Sequence, residues 1–166
     1  NGKDQLKTQV RNFPVELLFL RDDDIPQYVE DKVADVGVVG ENVFFEKQKK
    51  NEIIKRLDFA KCRLSMAIPR ADTYTDPSWF NGKNIATSYP NIVKSFLAKN
   101  NIQAGLHEIS GSVEIAPGIG LADAICDVVS TGSTLLSNGL KEVEVVMQSE
   151  AVLIASPELD PEKRKI

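Results

Sequence analysis

The sequence has little of what most acid–base enzymes and cross-linked proteins rely on. There is one histidine, His107, one tryptophan, Trp79, and two cysteines, Cys62 and Cys126, in 166 residues. A single histidine with no evident partner is a poor general base, so chemistry led by an imidazole is not expected. Two cysteines far apart in apolar contexts do not make a disulfide framework; they read as buried thiols of a reducing, cytoplasmic setting. Positive charge is not in excess: 20 Lys and Arg stand against 24 Asp and Glu, a net charge of −4. Nothing in that balance suggests a nucleic-acid footprint, which would need a basic face. No apolar run approaches the ~20 residues of a membrane span, and no signal-peptide pattern is visible. Hydrophobic residues make up 42% of the chain, enough for a core in one domain or two small lobes.

The informative stretch is Glu114–Leu135, EIAPGIGLADAICDVVSTGSTL. It reads as an acidic residue, a glycine-broken helix, a buried strand over Ala124–Val129, a small polar loop Ser130-Thr131-Gly132-Ser133-Thr134, and a short helix from Leu135 to Asn138 stopped by Gly139. A strand feeding a Gly/Ser/Thr loop and a helix start suits an anion. First-turn amides point outward, the dipole favours negative charge, and glycine admits close approach. Hydroxyls add donors. The same residues also make ordinary turn and cap chemistry. Asp127 shifts the balance. A carboxylate inside AICDVV is costly to bury unless it is paired or binds something. A hydroxyl-binding acid beside a phosphate cradle is the layout that holds a ribose 5-phosphate.

The spacing Asp127-x-x-x-Thr131-Gly132-x-Thr134 resembles the diphosphate-sugar loop of the phosphoribosyltransferases, with Cys126 in the place of a second acid common there. The longer run, Glu114 through Gly120, Ala122, Ile125, Asp127, Thr131, Gly132 and Thr134 to Leu135, resembles the signature of ATP phosphoribosyltransferase, the first enzyme of histidine biosynthesis. Further blocks resemble that family in its own order: Arg21-Asp22-Asp23-Asp24-Ile25-Pro26, Asp35-Val36-Gly37-Val38-Val39-Gly40-Glu41-Asn42, Cys62-Arg63-Leu64-Ser65 and Ala86-Thr87-Ser88-Tyr89-Pro90. Nearly the whole chain is covered.

Read in order, Asn1–Arg11 is polar and Phe13–Arg21 is expected to be a buried strand. Asp22–Asp24 and Pro26 open a helix with Ile25, Tyr28, Val29 and Val33 on its apolar face, the aspartates serving as cap and solvated charge. Val36–Val39 is a short buried strand, and Glu41 at its end is either a ligand contact, since ligands sit at the carboxyl ends of strands in open α/β sheets, or a cap for a helix over Asn42–Lys50. Strands are expected over Ile53–Leu57 and Cys62–Pro69, the second crossing between lobes. Arg63 at its head either meets a phosphate bidentately or is a strand-end charge. Trp79 is a packing residue on a loop. Ile85–Thr87 leads through Ser88-Tyr89-Pro90 into a helix with Ile92, Val93, Phe96 and Leu97 on one face, a second hydroxyl-rich junction suited to pyrophosphate; Tyr89 lines the site or stacks on a base. Leu106–Ile109 is a strand with His107 exposed on it. Glu142–Gln148 and Glu150–Ala155 are strands returning to the first lobe, and Pro157–Ile166 is the start of a helix.

The resemblance implies an α/β fold of two lobes with mixed β-sheets around a cleft, like the type II periplasmic binding proteins. Lobe I would comprise residues 1–67 and 147–166, and lobe II residues 68–146 with the phosphoribosyl diphosphate loop. It also implies that an opening βα unit of roughly 25–30 residues and a C-terminal histidine-binding regulatory domain are missing, so that this stretch by itself is expected to be inactive. The implied reaction joins N1 of ATP to 5-phosphoribosyl 1-diphosphate with release of pyrophosphate. Glu114 and Asp127 would be the catalytic acids holding the ribose, Ser130, Thr131, Gly132, Ser133 and Thr134 the 5-phosphate cradle, and Glu41, Arg63 and Tyr89 the ATP contacts. Mg²⁺ would be held mainly by the substrate phosphates, with no protein ligand assigned. Dimers assembling to hexamers, and feedback inhibition by histidine, would accompany the full-length enzyme. The competing expectation is a non-catalytic bilobed binder of a phosphorylated solute, which the fold alone does not separate from the enzyme.

Overall fold

The computed structural model describes residues 7–166; the polar opening expected over residues 1–6 lies outside the described residues. In chain order the elements are β1 (Lys7–Gln9), β2 (Glu16–Leu18), a 3-10 turn at Asp22–Asp24, α1 (Ile25–Glu30), β3 (Val36–Gly40), α2 (Glu41–Lys47), β4 (Glu52–Arg56), β5 (Cys62–Pro69), a 3-10 turn at Pro77–Phe80, β6 (Asn84–Thr87), α3 (Pro90–Lys99), β7 (Gly105–Glu108), a 3-10 turn at Val113–Ile115, β8 (Ala124–Val129), α4 (Ser133–Ser137), β9 (Leu140–Ser149), β10 (Ala151–Ala155) and a closing 3-10 turn at Lys163–Lys165.

The chain divides into two compact units, one of residues 1–57 with 151–166 and one of residues 58–150. The first carries the sheet β3-β10-β4, all antiparallel, and the β1–β2 ribbon. Its core is Val29, Val39, Val43, Val152 and Ile154, gathered from α1, α2 and one sheet face. The second carries the mixed five-stranded sheet β7-β6-β8-β5-β9, in which β6 runs parallel to β7 and β8 while β5 is antiparallel to β8 and β9.

Period-two alternation explains the second unit's core. Leu64, Met66, Ile68, Ile85, Ala124 and Cys126 face one side, where Ile92, Val93 and Leu97 of α3 and Phe80 cover them. Ala67, Ala86, Ile125 and Val129 face the other, against Val113, Ala116, Leu135 and Leu140. Helix α3 has Pro90 in its first turn, where a missing N–H is harmless, and presents the apolar stripe its spacing predicts. Trp79 packs edge-on to Phe80 at 5.2 Å, and Phe80 meets Tyr74 and Phe96 at 5.8 and 6.5 Å.

Several expectations need correction. The strand over Phe13–Arg21 shrinks to Glu16–Leu18 and is exposed, with Phe13, Leu17 and Phe19 about half accessible. Among the described residues it pairs only with β1, in a two-stranded ribbon that leaves these side chains accessible. Strand β3 is buried at Val39 alone of its three valines, because α1 and α2 cover one face of that sheet and Val36 and Val38 point to the other. Strand β5 does not cross between units. It lies wholly in the second, and so does β9, whose ten residues ladder along it. The divisions therefore fall at Leu57/Asp58 and Glu150/Ala151 rather than after residues 67 and 146. Beyond Pro157 there is only the short turn Lys163–Lys165.

Phe80 is fully buried among three aromatic rings. Phe80→Ala is expected to cost about 3–5 kcal/mol, the range for emptying an aromatic core site. Urea unfolding followed by Trp79 fluorescence measures it; a loss under about 1 kcal/mol would contradict this packing.

Candidate functional site

Strand β8 determines where Asp127 points. Its neighbours two residues away, Ile125 and Val129, are buried in the cluster on one sheet face, so Asp127 lies on that face near the strand's carboxyl end. Cys126 points the other way, fully buried against α3, and neither cysteine is in a disulfide. An acid in place of Cys126 would therefore sit in the apolar core. The second carboxylate comes instead from Glu114, on the turn Val113–Ile115 that covers the same face as Asp127.

The electrostatics of the pair are unfavourable without a ligand. Burial pushes the Asp127 carboxyl above its ordinary range, the Val128 N–H pulls it down by donating to Oδ1 at 2.8 Å, and the nearby charge of Glu114 pushes it up again. Oδ2 accepts no hydrogen bond from the described residues. A half-buried carboxylate with an open oxygen and a like charge beside it is set to receive hydroxyl donors or a cation.

Beyond β8 the chain turns through Ser130–Gly132 into α4. Gly132 has φ of +82°, a conformation in which a Cβ is strained, and it occupies the N-cap position of α4. Leu135 anchors the first turn in the apolar cluster, while Ser130, Thr131, Ser133 and Thr134 remain exposed. Thr131 Oγ1 and Ser133 Oγ lie 3.0 Å apart, so their rotors are paired without a fixed donor. At the other end Arg70 Nη2 donates to the Leu136 carbonyl at 2.9 Å, satisfying one of the orphan acceptors of α4. The structure thus brings Glu114, Asp127 and the Ser130–Thr134 loop to one end of the β8 face.

The three residues expected to hold ATP are otherwise engaged. Glu41 is buried at the first position of α2, where it neither caps the helix with its side chain nor stands open; Arg56 Nη2 meets it at 2.6 Å. Arg63 turns its fork on Glu142, with Nε donating to Oε2 at 2.6 Å and Nη2 to Oε1 at 2.9 Å. Tyr89 packs its ring against the core beside α3. The Ser88 junction is closed too. Ser88 Oγ donates to the Ile109 carbonyl, and Thr87 Oγ1 donates to the Cys126 carbonyl while accepting from Tyr89 N. His107 is exposed on the edge strand β7. Among the described residues no group of three or more His, Cys, Asp or Glu side chains gathers to hold a metal. Two carboxylates and a hydroxyl loop suit a cation that keeps its shell among phosphates and water rather than one in an all-protein cage.

One residue of this face escaped the sequence reading. Ser65, on β5, is buried and lies directly opposite Asp127 in the β5–β8 ladder. The signal was the one that marked Asp127: a polar side chain inside an apolar run.

Comparison with known proteins bears on the fold and the family. The fold is that of the α/β binding-protein class: a substrate-binding protein of an amino-acid ABC transporter superposes with a TM-score of 0.60 at 13% identity over 83% of this chain and 64% of its own. The likeness at that identity concerns the fold alone. The family model HisG, ATP phosphoribosyltransferase, matches residues 21–166, and the chain belongs to that family. The ATP phosphoribosyltransferase of Cytophaga hutchinsonii is 61% identical over the whole chain and that of Bacteroides thetaiotaomicron 62% identical over 164 residues, 99% of the chain. The chain spans 58% of the length of each. The ATP phosphoribosyl transferase (HisG:HisZ) complex from Thermotoga maritima superposes with a TM-score of 0.81 at 26% identity, covering 93% of this chain and 75% of that one.

The raised Asp127 carboxyl has a measurable sign. The folded protein binds this proton more tightly than the unfolded chain, so ionising it as pH climbs from the ordinary carboxylate value through the raised one lowers stability. Asp127→Asn, which keeps an acceptor for Val128 N, is expected to raise the melting temperature of the ligand-free protein by a few degrees at neutral pH. The gain should vanish below about pH 4, where the unfolded carboxyl is protonated as well. Thermal scans from pH 3 to 8 test this; a pH-independent difference contradicts it.

Proposed function

We propose that this protein catalyses the ATP phosphoribosyltransferase reaction, the first step of histidine biosynthesis, in the cytoplasm. The observation that carries the reading is the convergence of Glu114, Asp127 and the Ser130–Thr134 loop on one sheet face, in a chain of this family. Glu114 and Asp127 hold the ribose 2- and 3-hydroxyls of 5-phosphoribosyl 1-diphosphate. Loop amides and hydroxyls of Ser130–Thr134 hold its 5-phosphate. Adenine N1 of ATP attacks with its own lone pair. The C1–N1 bond forms as the C1–O bond to diphosphate breaks, and that electron pair leaves with pyrophosphate. No side chain need remove a proton from N1, which fits a chain with one exposed histidine. The two carboxylates place negative charge beside the cationic C1 as the leaving group departs, and the held sugar is aligned with the attacking nitrogen. Mg²⁺, carried with the diphosphate, would neutralise charge on the leaving group. Glu41, Arg63 and Tyr89 receive no ATP role here, since ion pairs and core packing occupy them.

A non-catalytic solute binder is the second reading, favoured by the fold shared with transporter binding proteins. Binding alone does not call for two mutually repelling acids beside the cradle, a cost that suits charge developing during reaction.

Calorimetric titration of the full-length protein with 5-phosphoribosyl diphosphate and Mg²⁺ should show saturable binding that Asp127→Ala weakens at least about 100-fold, the loss of two charged hydrogen bonds, without unfolding the chain. Pyrophosphate should appear only when ATP is added. Unchanged affinity in the variant sinks the sugar assignment, and binding with no turnover by the full-length protein favours the solute binder.

A further inference from the structure

The floor of the site holds a buried hydroxyl without a well-formed hydrogen bond. Ser65 is 1% exposed, and among the described residues its Oγ has no hydrogen-bond partner of normal geometry. A buried hydroxyl without a well-formed bond destabilises the fold, so it calls for an explanation. The ladder supplies two neighbours. Across β8 stands Asp127, and across β9 stands Val145 with Glu142 further along the strand. Glu142 is held below its ordinary range chiefly by the Arg63 hydrogen bonds, against burial, with a smaller contribution from the Ser65 hydroxyl. Ser65 therefore lies close to that carboxylate, yet without a bond of normal length. With both its oxygens bound by Arg63, Glu142 has little need of it. Asp127 does have need: its Oδ2 is open, it stands beside Glu114, and directly opposed cross-strand side chains lie about 4.5–5.5 Å apart at Cβ, within reach of a serine rotamer change.

We propose that Ser65 is a positioning residue of the sugar site, its hydroxyl turning from the Glu142 side to donate to Asp127 when ribose hydroxyls engage that carboxylate. The inference rests on the phosphoribosyl reading above. The Arg63–Glu142 pair walls the floor on one side, so the hydroxyl is directed across the strand to Asp127. A fixed Asp127 then presents its remaining lone pairs to the sugar. The charged groups that bear on it are Asp127 itself, Glu114 from the covering turn, Glu142 from β9 and Arg63 from β5.

The test uses the full-length enzyme and Ser65→Ala, which removes the hydroxyl and little else. Three results are expected. The ligand-free melting temperature stays or rises, because an unpartnered buried hydroxyl is lost. Affinity for 5-phosphoribosyl diphosphate with Mg²⁺ falls roughly tenfold, as for a lost hydrogen bond to a charged group. KM for the sugar diphosphate rises while KM for ATP does not. A hydroxyl that only supports the fold gives the opposite pattern: a lower melting temperature and both KM values moved together. That pattern, or an unchanged sugar affinity, overturns the inference. A wild-type enzyme that fails to bind the sugar diphosphate at all overturns the phosphoribosyl reading first, and this inference with it.

Discussion

A carboxylate has to be kept on a strand whose surroundings are otherwise apolar. Asp127 sits in β8 between Ile125 and Val129, both buried, in a sheet covered on both faces. Everything near it can be understood as a consequence. The strand's other face has to be fully apolar to hold the sheet, which is why Cys126 is a thiol packed on α3 and the second acid arrives from outside the strand. The turn that brings Glu114 also closes the apolar cluster through Val113 and Ala116, so one segment both covers the core and completes the acid pair. The loop after β8 is anchored by Leu135 in that cluster, and its hydroxyls stay in solvent.

Such a face is under tension. Glu114 and Asp127 repel each other, Asp127 is partly desolvated, and Ser65 Oγ has no partner of normal geometry among the described residues. Each of these is a loss to the ligand-free fold, and each would be relieved by the ligand proposed for this face. Native proteins hold unfavourable local arrangements where binding or reaction uses them. By contrast the Arg63–Glu142 and Arg56–Glu41 pairs are settled: geometry is good and both partners are satisfied. The contrast between settled and unsettled charge is what marks the site within this molecule.

That contrast also explains what could be read from the sequence. β8 has the bounds its apolar run suggests and α3 buries the stripe its spacing predicts, while the polar loop is shorter than expected: it ends at Gly132, and the helix expected over Leu135–Asn138 begins two residues earlier, at Ser133. These depend on near neighbours. The ion pairs of Arg63 and Glu41 were not legible because their partners come from elsewhere in the chain: Glu142 lies 79 residues beyond Arg63. Whether a charge at a strand end is open to a ligand depends on such long-range pairs, which periodicity does not reveal. Strand β2 was judged buried from its composition, but burial needs a covering layer, and none of the described elements supplies one. The unit boundaries missed for a related reason: β9 is bound to β5 by a ladder that sequence order does not announce.

The second unit is one unbroken segment, residues 58–150, set within the first, and its ends are tied together where Asp58 N donates to Glu150 Oε2 at 3.1 Å. The first unit's sheet has the order β3-β10-β4, with the last strand made lying in the middle. Among the described strands, β3 and β4 are joined only through residues 151–155, which follow the whole intervening segment. The inserted unit has all its sheet partners already and can fold first. The host sheet thus depends on a strand that the chain supplies only after the inserted unit, whereas the inserted unit draws its sheet from one unbroken segment.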